Sequence, residues 1–223
     1  YGLFTDPITK IGGEKCTYPV PTFEAIKGIM KSIYWKPTII WIPERIRVIK
    51  PIRTQIKGTK PLSWSGGNGL SIYNFLEQPE YQVEGRFIFN EHRPELAQDR
   101  IEGKHYAIAQ RSLEKGGRQD IFLGTRDCQG YVEPCSFGEG DGAYDNVTEV
   151  DFGIMFHSFL YPDETGVNEL TAVFWAAKMK CGVIEFPAVS SPEVLHKFIR
   201  KMTPKPFGLN TNQKPVIEEG III

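Results

Sequence analysis

"PVPTFEAIKGIMKSIYWKPTIIWIPERIRVIKPIRTQIKG", residues 19–58, changes its hydrophobic period once, at Pro37, and that change decides the fold class. Before Pro37, Ile26, Ile29, Met30 and Ile33 recur at i, i+3, i+4 and i+7, the spacing of one face of a helix. Thr22 offers an N-cap, Glu24 suits the first turn, and Pro37 forbids continuation. Tyr34 lies about 80° from Ile26 around that helix, at the border of the apolar stripe. There its ring can pack while its hydroxyl remains accessible. After Pro37 the period is two: Ile46, Val48 and Ile52 face one way, and Arg45, Arg47 and Arg53 fall on or near the other. Pro43 and Pro51 are expected to interrupt this strand pair.

Working outward, "YGLFTDP" (1–7) reads as the end of a strand in a trimmed chain, "PLSWSGGNGLSIY" (61–73) as a loop or hairpin tip, and "YQVEGRFIFNEH" (81–92) as a strand. The glycines of the loop lack the G-K-[ST] ending of a phosphate loop. A helix is predicted over 104–115, with Tyr106, Ala109 and Leu113 on one side and Gly116 and Gly117 as its stop. "QDIFLGTRDCQGYVEP" (119–134) reads as a further strand. Strand, helix, strands, helix, strand is the split βαβ plan, so residues 1–137 are predicted to form an α+β domain of RRM-like or ferredoxin-like type. "VDFGIMFHSFLY" and "LTAVFWAAKMKCGVIEF", joined by "PDETG", extend it with an antiparallel sheet, and "SSPEVLHKFIRKM" has the capping and spacing of a short helix. This C-terminal β extension spans 138–203, and the Pro-, Asn- and Lys-rich tail 204–223 is expected to be loosely ordered.

The chain has 223 residues, 41% of them apolar, and a net charge of −1. No apolar run approaches the roughly 20 residues that span a bilayer, and no signal-peptide pattern is present, which leaves the cytoplasm as the default. Cys16, Cys128, Cys135 and Cys181 form no C-x-x-C pair, and His92, His105, His157 and His196 have no metal-ligand spacing, so no metal or cofactor is expected. The thiols read as small buried or half-buried side chains in a reducing compartment. Charge is segregated: residues 36–60 carry seven basic residues against Glu44, while 139–169 carry eight acids and no Lys or Arg. A basic segment with interleaved apolar residues suits a polyanion. The acidic stretch suits a solvated face or a basic partner.

Lys104 and His105 open the second helix, where partial positive charge disfavours a cation. Such conflicts with local preference concentrate at functional sites, although a solvated lysine beside a satisfied histidine is the ordinary structural explanation.

"LFTDP", "YPVPTFEAIKGI", "IYWKP", "IKPIR", the Lys104-His105 pair and "LGTRDCQGYVEP" together resemble the type I-C CRISPR-associated RAMP proteins, the Cas-five family of the Dvulg subtype. The resemblance runs from Leu3 to about residue 190. It implies an RRM-like domain with a C-terminal sheet extension that cuts CRISPR repeat RNA into guide units. It also implies that the protein stays on the 5′ handle beside the other subunits of a type I-C effector complex. In that family a tyrosine closing the first long helix and an adjacent Lys-His pair carry catalysis, and these are Tyr34, Lys104 and His105 here. Lys36, Arg45, Arg47, Arg53 and Arg111 are the expected RNA-binding residues.

The residue types suit metal-free RNA cleavage, in which the 2′-hydroxyl attacks its own phosphate and the protein supplies a base, an acid and a cation. His105 can serve as base or acid. Lys104 can stabilise phosphate charge, and Tyr34 can orient the 2′-hydroxyl or a phosphate oxygen. Which residue is the base stays open. His92 is a candidate second titrating group, whereas His157 and His196 read as packing or surface residues. The rival reading is a non-catalytic handle-binding subunit, which needs cations but no titrating pair; a scaffold docking through the acidic stretch is a third.

Overall fold

In the computed structural model, residues 1–7, 9, 14–60, 66–67 and 69–205 are described. Thr22 caps the first long helix as its spacing predicts, the side chain accepting from Ala25 N, and the helix, α1, runs Phe23–Ile33 with Tyr34 as its C-cap. A two-residue strand, β1 (Lys15–Cys16), precedes it. After Pro37 the chain enters β2 (Ile39–Val48), then β3 (Thr54–Thr59), β4 (Ser71–Leu76) and β5 (Tyr81–Phe89). A 3-10 turn at Pro94–Asp99 leads into α2 (Glu102–Glu114). The remaining elements are β6 (Ile121–Phe122), β7 (Gln129–Gly130), β8 (Val150–Leu160), the one-turn α3 (Pro162–Thr165), β9 (Glu169–Met179), β10 (Val183–Glu185) and β11 (Val194–Lys201).

The architecture is mixed α and β, rich in sheet and with few helices. Three three-stranded sheets have the orders β1-β4-β3, β10-β2-β5 and β11-β9-β8, and β6 pairs with β7. Pro43 does not interrupt β2: it sits at a bulge in the β2–β5 ladder, where the register shifts between Pro43 and Arg45. A proline is tolerated there because a bulge leaves its missing N–H without cost. β10 pairs antiparallel with β2, Ile184 opposite Ile46, so the later strands close onto the earlier ones. One apolar cluster accordingly joins Ile26 and Met30 of α1 to Ile46, Val48, Met155, Val173, Trp175 and Ile184. At about 1.5–3 kcal/mol for each large apolar side chain, this shared burial is the main force holding α1 to the sheets. Gly85 allows the close approach, since a Cβ there would lie 2.6 Å from Met30 Cε and 2.7 Å from Ile42 O.

Four local expectations are corrected. "SSPEVLHKFIRKM" is not a short helix: Val194–Lys201 is the strand β11, paired with β9 from Val194 opposite Trp175 to Lys201 opposite Glu169. Its apolar positions suit either period, and pairing with β9 overrides the local preference. "QDIFLGTRDCQGYVEP" is a small hairpin, β6 with β7, rather than one strand. On α2 the inward residues are His105 and Ser112, while Tyr106 is exposed. Of the four free cysteines, Cys128 is buried and Cys16 half-buried, but Cys135 and Cys181 are exposed. The tail expected from residue 204 lies outside the described residues beyond Lys205.

The acidic stretch also behaves differently from its expected solvated face. Asp145 pairs with Arg47, Asp163 with Arg93, Glu149 with Lys178, and Glu164 with both Lys27 and Lys31. Burial pushes the Glu164 carboxyl up, but the two lysines outweigh it and hold the group below its ordinary range. Much of the acidic stretch is thus neutralised by cations from elsewhere in the chain, Arg47 being its partner from the basic segment.

Candidate active site

α1 ends at Tyr34 in extended backbone, φ −158° and ψ 129°, which turns its side chain off the helix stripe. Trp41 Nε1 donates to the Tyr34 carbonyl at 2.7 Å and fixes this end of the helix against β2. Across from it, α2 begins two residues before the Lys-His pair, so Lys104 and His105 stand within its first turn and a half. His105 points inward onto the edges of Phe87 and Phe89, with ring centroids 6.2 and 6.1 Å away.

Tyr34 and His105, distant in sequence, meet here: Tyr34 Oη and His105 Nδ1 are 2.8 Å apart, and both residues are 0% exposed. His105 Nε2 lies 2.6 Å from the main-chain oxygen of Asp99. A carbonyl only accepts, so Nε2 carries the proton, and in the neutral ring Nδ1 is the acceptor for the Tyr34 hydroxyl. The Asp99 carboxylate lies 3.5 Å from the same Nε2, positioned to balance an imidazolium.

Asp99 also explains the lysine at a helix start. Lys104 Nζ donates to Asp99 Oδ1, and Thr38 Oγ1 donates to Oδ2 at 2.7 Å. The hydrogen bonds from Lys104 and Thr38 hold the Asp99 carboxyl below its usual range, and the Asp99 carboxylate in turn raises Lys104. The carboxylate supplied by Asp99 offsets the unfavourable helix dipole. Burial pushes the Tyr34 hydroxyl above its ordinary range, against the opposing pull of Arg118. Tyr34 is therefore a proton donor at neutral pH, and acts as a base only if its proton has somewhere to go.

The expected RNA-binding residues divide into groups. Lys36, in the connection two residues past Tyr34, and Arg111, on α2 with Lys104, are exposed. Arg53 is exposed in the loop before β3. Arg45, half-exposed, pairs with Glu84 and lies 4.4 Å over the Phe137 ring. Arg47 is not a surface cation: it is 6% exposed, and its guanidinium meets Asp145, the Glu139 carbonyl and the Gly140 carbonyl. Along β2 it stands roughly 26 Å from Ile39, at about 3.3 Å per residue. His157 is a packing residue, stacked on Phe23 at 4.3 Å, and burial lowers its pKa to about 4. His92 sits against Gly166 rather than beside the Tyr34-His105 pair.

Three residues at the site carried no sequence signal of their own: Asp99, Thr38 and Arg118. Asp99 ends the short 3-10 turn and Thr38 lies in the connection before β2, where spacing predicts nothing, and Arg118 follows a Gly-Gly turn. Among the described residues, no three His, Cys, Asp or Glu side chains gather as metal ligands, and no helix is long and apolar enough to cross a membrane.

The family model described as "CRISPR-associated protein (Cas_Cas5)" matches residues 1–187. A protein of Thermus thermophilus named CRISPR pre-crRNA endoribonuclease Cas5d is 26% identical over 218 residues, covering 87% of this chain and 90% of the relative. One of the same name from Mannheimia succiniciproducens is 45% identical over 53 residues, 24% of this chain and 23% of its own. A crystal structure of a CRISPR-associated protein superposes with a TM-score of 0.68 at 36% identity, over 87% of this chain and 91% of the other. A functionally uncharacterized protein of Streptococcus mutans does so with a TM-score of 0.67 at 38% identity and the same coverage.

Proposed function

Because this chain belongs to the Cas5d family of CRISPR-associated proteins, we propose that it is a metal-independent endoribonuclease that cuts the repeat hairpins of pre-crRNA. It then keeps the 5′ handle of the mature crRNA within a type I-C effector complex, beside the backbone and large subunits. The same reading implies a cytoplasmic protein. The finer fold assignment, an RRM-like half (1–137) with a β extension (138–203), belongs to this proposal; α1 packed on the β2–β5 sheet and the β8–β9–β11 sheet that follows support it.

The observation that carries the catalytic reading is the hydrogen bond from Tyr34 to His105 Nδ1, with Asp99 behind His105 and Lys104 beside it. The Tyr34 oxygen takes the proton of the RNA 2′-hydroxyl while its own proton passes to His105 Nδ1. The 2′-oxygen bonds to the adjacent phosphorus, and the bond from phosphorus to the 5′-oxygen breaks. The departing 5′-oxygen takes a proton from the Lys104 ammonium, which solvent restores. His105, now an imidazolium balanced by Asp99, gives its extra proton to solvent once the products leave. Products end in a 2′,3′-cyclic phosphate and a 5′-hydroxyl. Positioned proton transfer of this kind is worth about 10²–10⁴ in rate.

One observation favours the non-catalytic handle-binding reading: Tyr34 and His105 are fully covered, so RNA must displace Lys104 or its neighbours to reach them. The two readings separate when purified protein is incubated with the repeat RNA of its own CRISPR array in EDTA. Cleavage to the stated product ends supports the enzyme. Tight binding with the RNA intact supports the handle-binding subunit.

A further inference from the structure

Arg118 stands over the ring of Tyr34, its guanidinium carbon 4.8 Å from the centroid. The local chain is built to put it there. Gly116 and Gly117 adopt φ of 80° and 102°, conformations that favour glycine, and reverse the chain after α2. The Arg118 N–H then meets the carbonyls of Ser32 and Ile33 at 3.1 and 3.2 Å, and Gln119 N donates to Ser32 O. These are terminal carbonyls of α1, so the Arg118 backbone is tied to the helix end that also sets Tyr34. Arg118 itself is exposed. Among the described residues no hydrogen bond or ion pair holds its guanidinium.

That freedom matters because the other cation at the site is committed. Lys104 is paired with Asp99, so the two contribute little net charge, whereas the phosphorane formed on attack gains negative charge that needs a counter-ion. An arginine stacked on an aromatic face keeps the N–H edge of its guanidinium open for two parallel hydrogen bonds to phosphate.

We propose that Arg118 is a further catalytic residue of this site, one whose guanidinium contacts the non-bridging oxygens of the scissile phosphate while stacked on Tyr34. This rests on the endoribonuclease reading above. Wild-type protein first locates the cut in repeat RNA. Two uncleavable RNAs are then made, both 2′-deoxy at the nucleotide upstream of the cut, one with the natural phosphate there and one with a neutral methylphosphonate. Arg118→Ala is expected to slow single-turnover cleavage about 100-fold. It should also bind the phosphate RNA roughly tenfold more weakly than wild type does, yet bind the methylphosphonate RNA as wild type does. Equal weakening on both RNAs, or on neither, overturns the contact. Arg118→Lys, which keeps charge at the end of α1, serves if the alanine variant does not fold: it should lose cleavage because an ammonium lacks the planar fork, and full activity overturns the proposal. Wild-type protein that makes no product refutes the catalytic reading itself; wild-type cleavage with unimpaired Arg118 variants refutes only this inference.

Discussion

Tyr34 Oη donates to His105 Nδ1 at 2.8 Å, and the main-chain oxygen of Asp99, 2.6 Å from Nε2, holds the ring proton there and so leaves Nδ1 free to accept. Tyr34→Phe removes the relay and keeps the ring packed. Cleavage should fall at least 100-fold. Hairpin affinity should stay within threefold, because phosphate contacts dominate RNA binding. Stability should fall by about 1 kcal/mol, the usual worth of a buried hydrogen bond. Filter binding and single-turnover kinetics separate the two; a parallel loss of both would make Tyr34 structural only.

Asp99→Asn tests the counter-charge. The main-chain oxygen that sets the His105 tautomer is untouched, and an amide oxygen can still accept from Thr38. Loss of the carboxylate frees Lys104 for phosphate but leaves the imidazolium without a counter-ion. Binding should be unchanged or tighter, while cleavage falls on the order of 10- to 100-fold. Weaker binding in this variant would show that Asp99 orders the RNA surface rather than the proton path.

Arg47 and Arg111 should separate fold from RNA contact. Arg47→Ala removes the counter-charge of Asp145, which keeps only the Gly142 N–H, and the donor to the Gly140 carbonyl, so the thermal midpoint should drop by several degrees with the salt dependence of RNA binding unaltered. Arg111→Ala should leave the midpoint alone and reduce the log-log salt slope by roughly 0.7–0.9. A lowered slope in the Arg47 variant would return that residue to the RNA surface.

His157 gives the fold an acid limit. Its pKa is about 4 in the folded protein, against about 6.5 unfolded. Between these values the unfolded chain binds more protons, so stability is complete above pH 6.5 and declines as pH falls towards 4. The loss should reach on the order of 3 kcal/mol. His157→Phe, stacked on Phe23, should remove this part of the pH dependence in urea titrations at pH 7 and pH 5. An unchanged pH dependence would assign the acid limit to other groups.

The α1 boundaries were legible because Thr22, the apolar stripe and Pro37 act locally. Tyr34, Lys104 and His105 were legible as a set through their resemblance to a family, but their contact was not, since it depends on α2 folding onto Phe87 and Phe89. Arg45 and Arg47 read alike in the sequence. Only the chain from Glu139 to Asp145, which brings Asp145 and two carbonyls onto Arg47, buries that residue while Arg45 stays at the surface. β11 misled for a similar reason: its apolar residues fit a helix until β9 supplies hydrogen-bond partners. Asp99, at the end of a 3-10 turn, and Arg118, after a Gly-Gly turn, become readable only once the chain is folded.

The central claim is that the RNA supplies its own nucleophile to a site that only moves protons and holds charge. A repeat RNA carrying one 2′-deoxy nucleotide immediately upstream of the scissile phosphate tests it most directly, with binding and cleavage measured on the same sample. The deoxy RNA keeps the phosphates and the hairpin shape, so it should bind within about threefold of the natural repeat and remain uncut. The same substitution several nucleotides away should be cut normally. Cleavage of the site-specific deoxy RNA at the natural rate would mean that water attacks, and would contradict the roles assigned to Tyr34, Lys104 and His105.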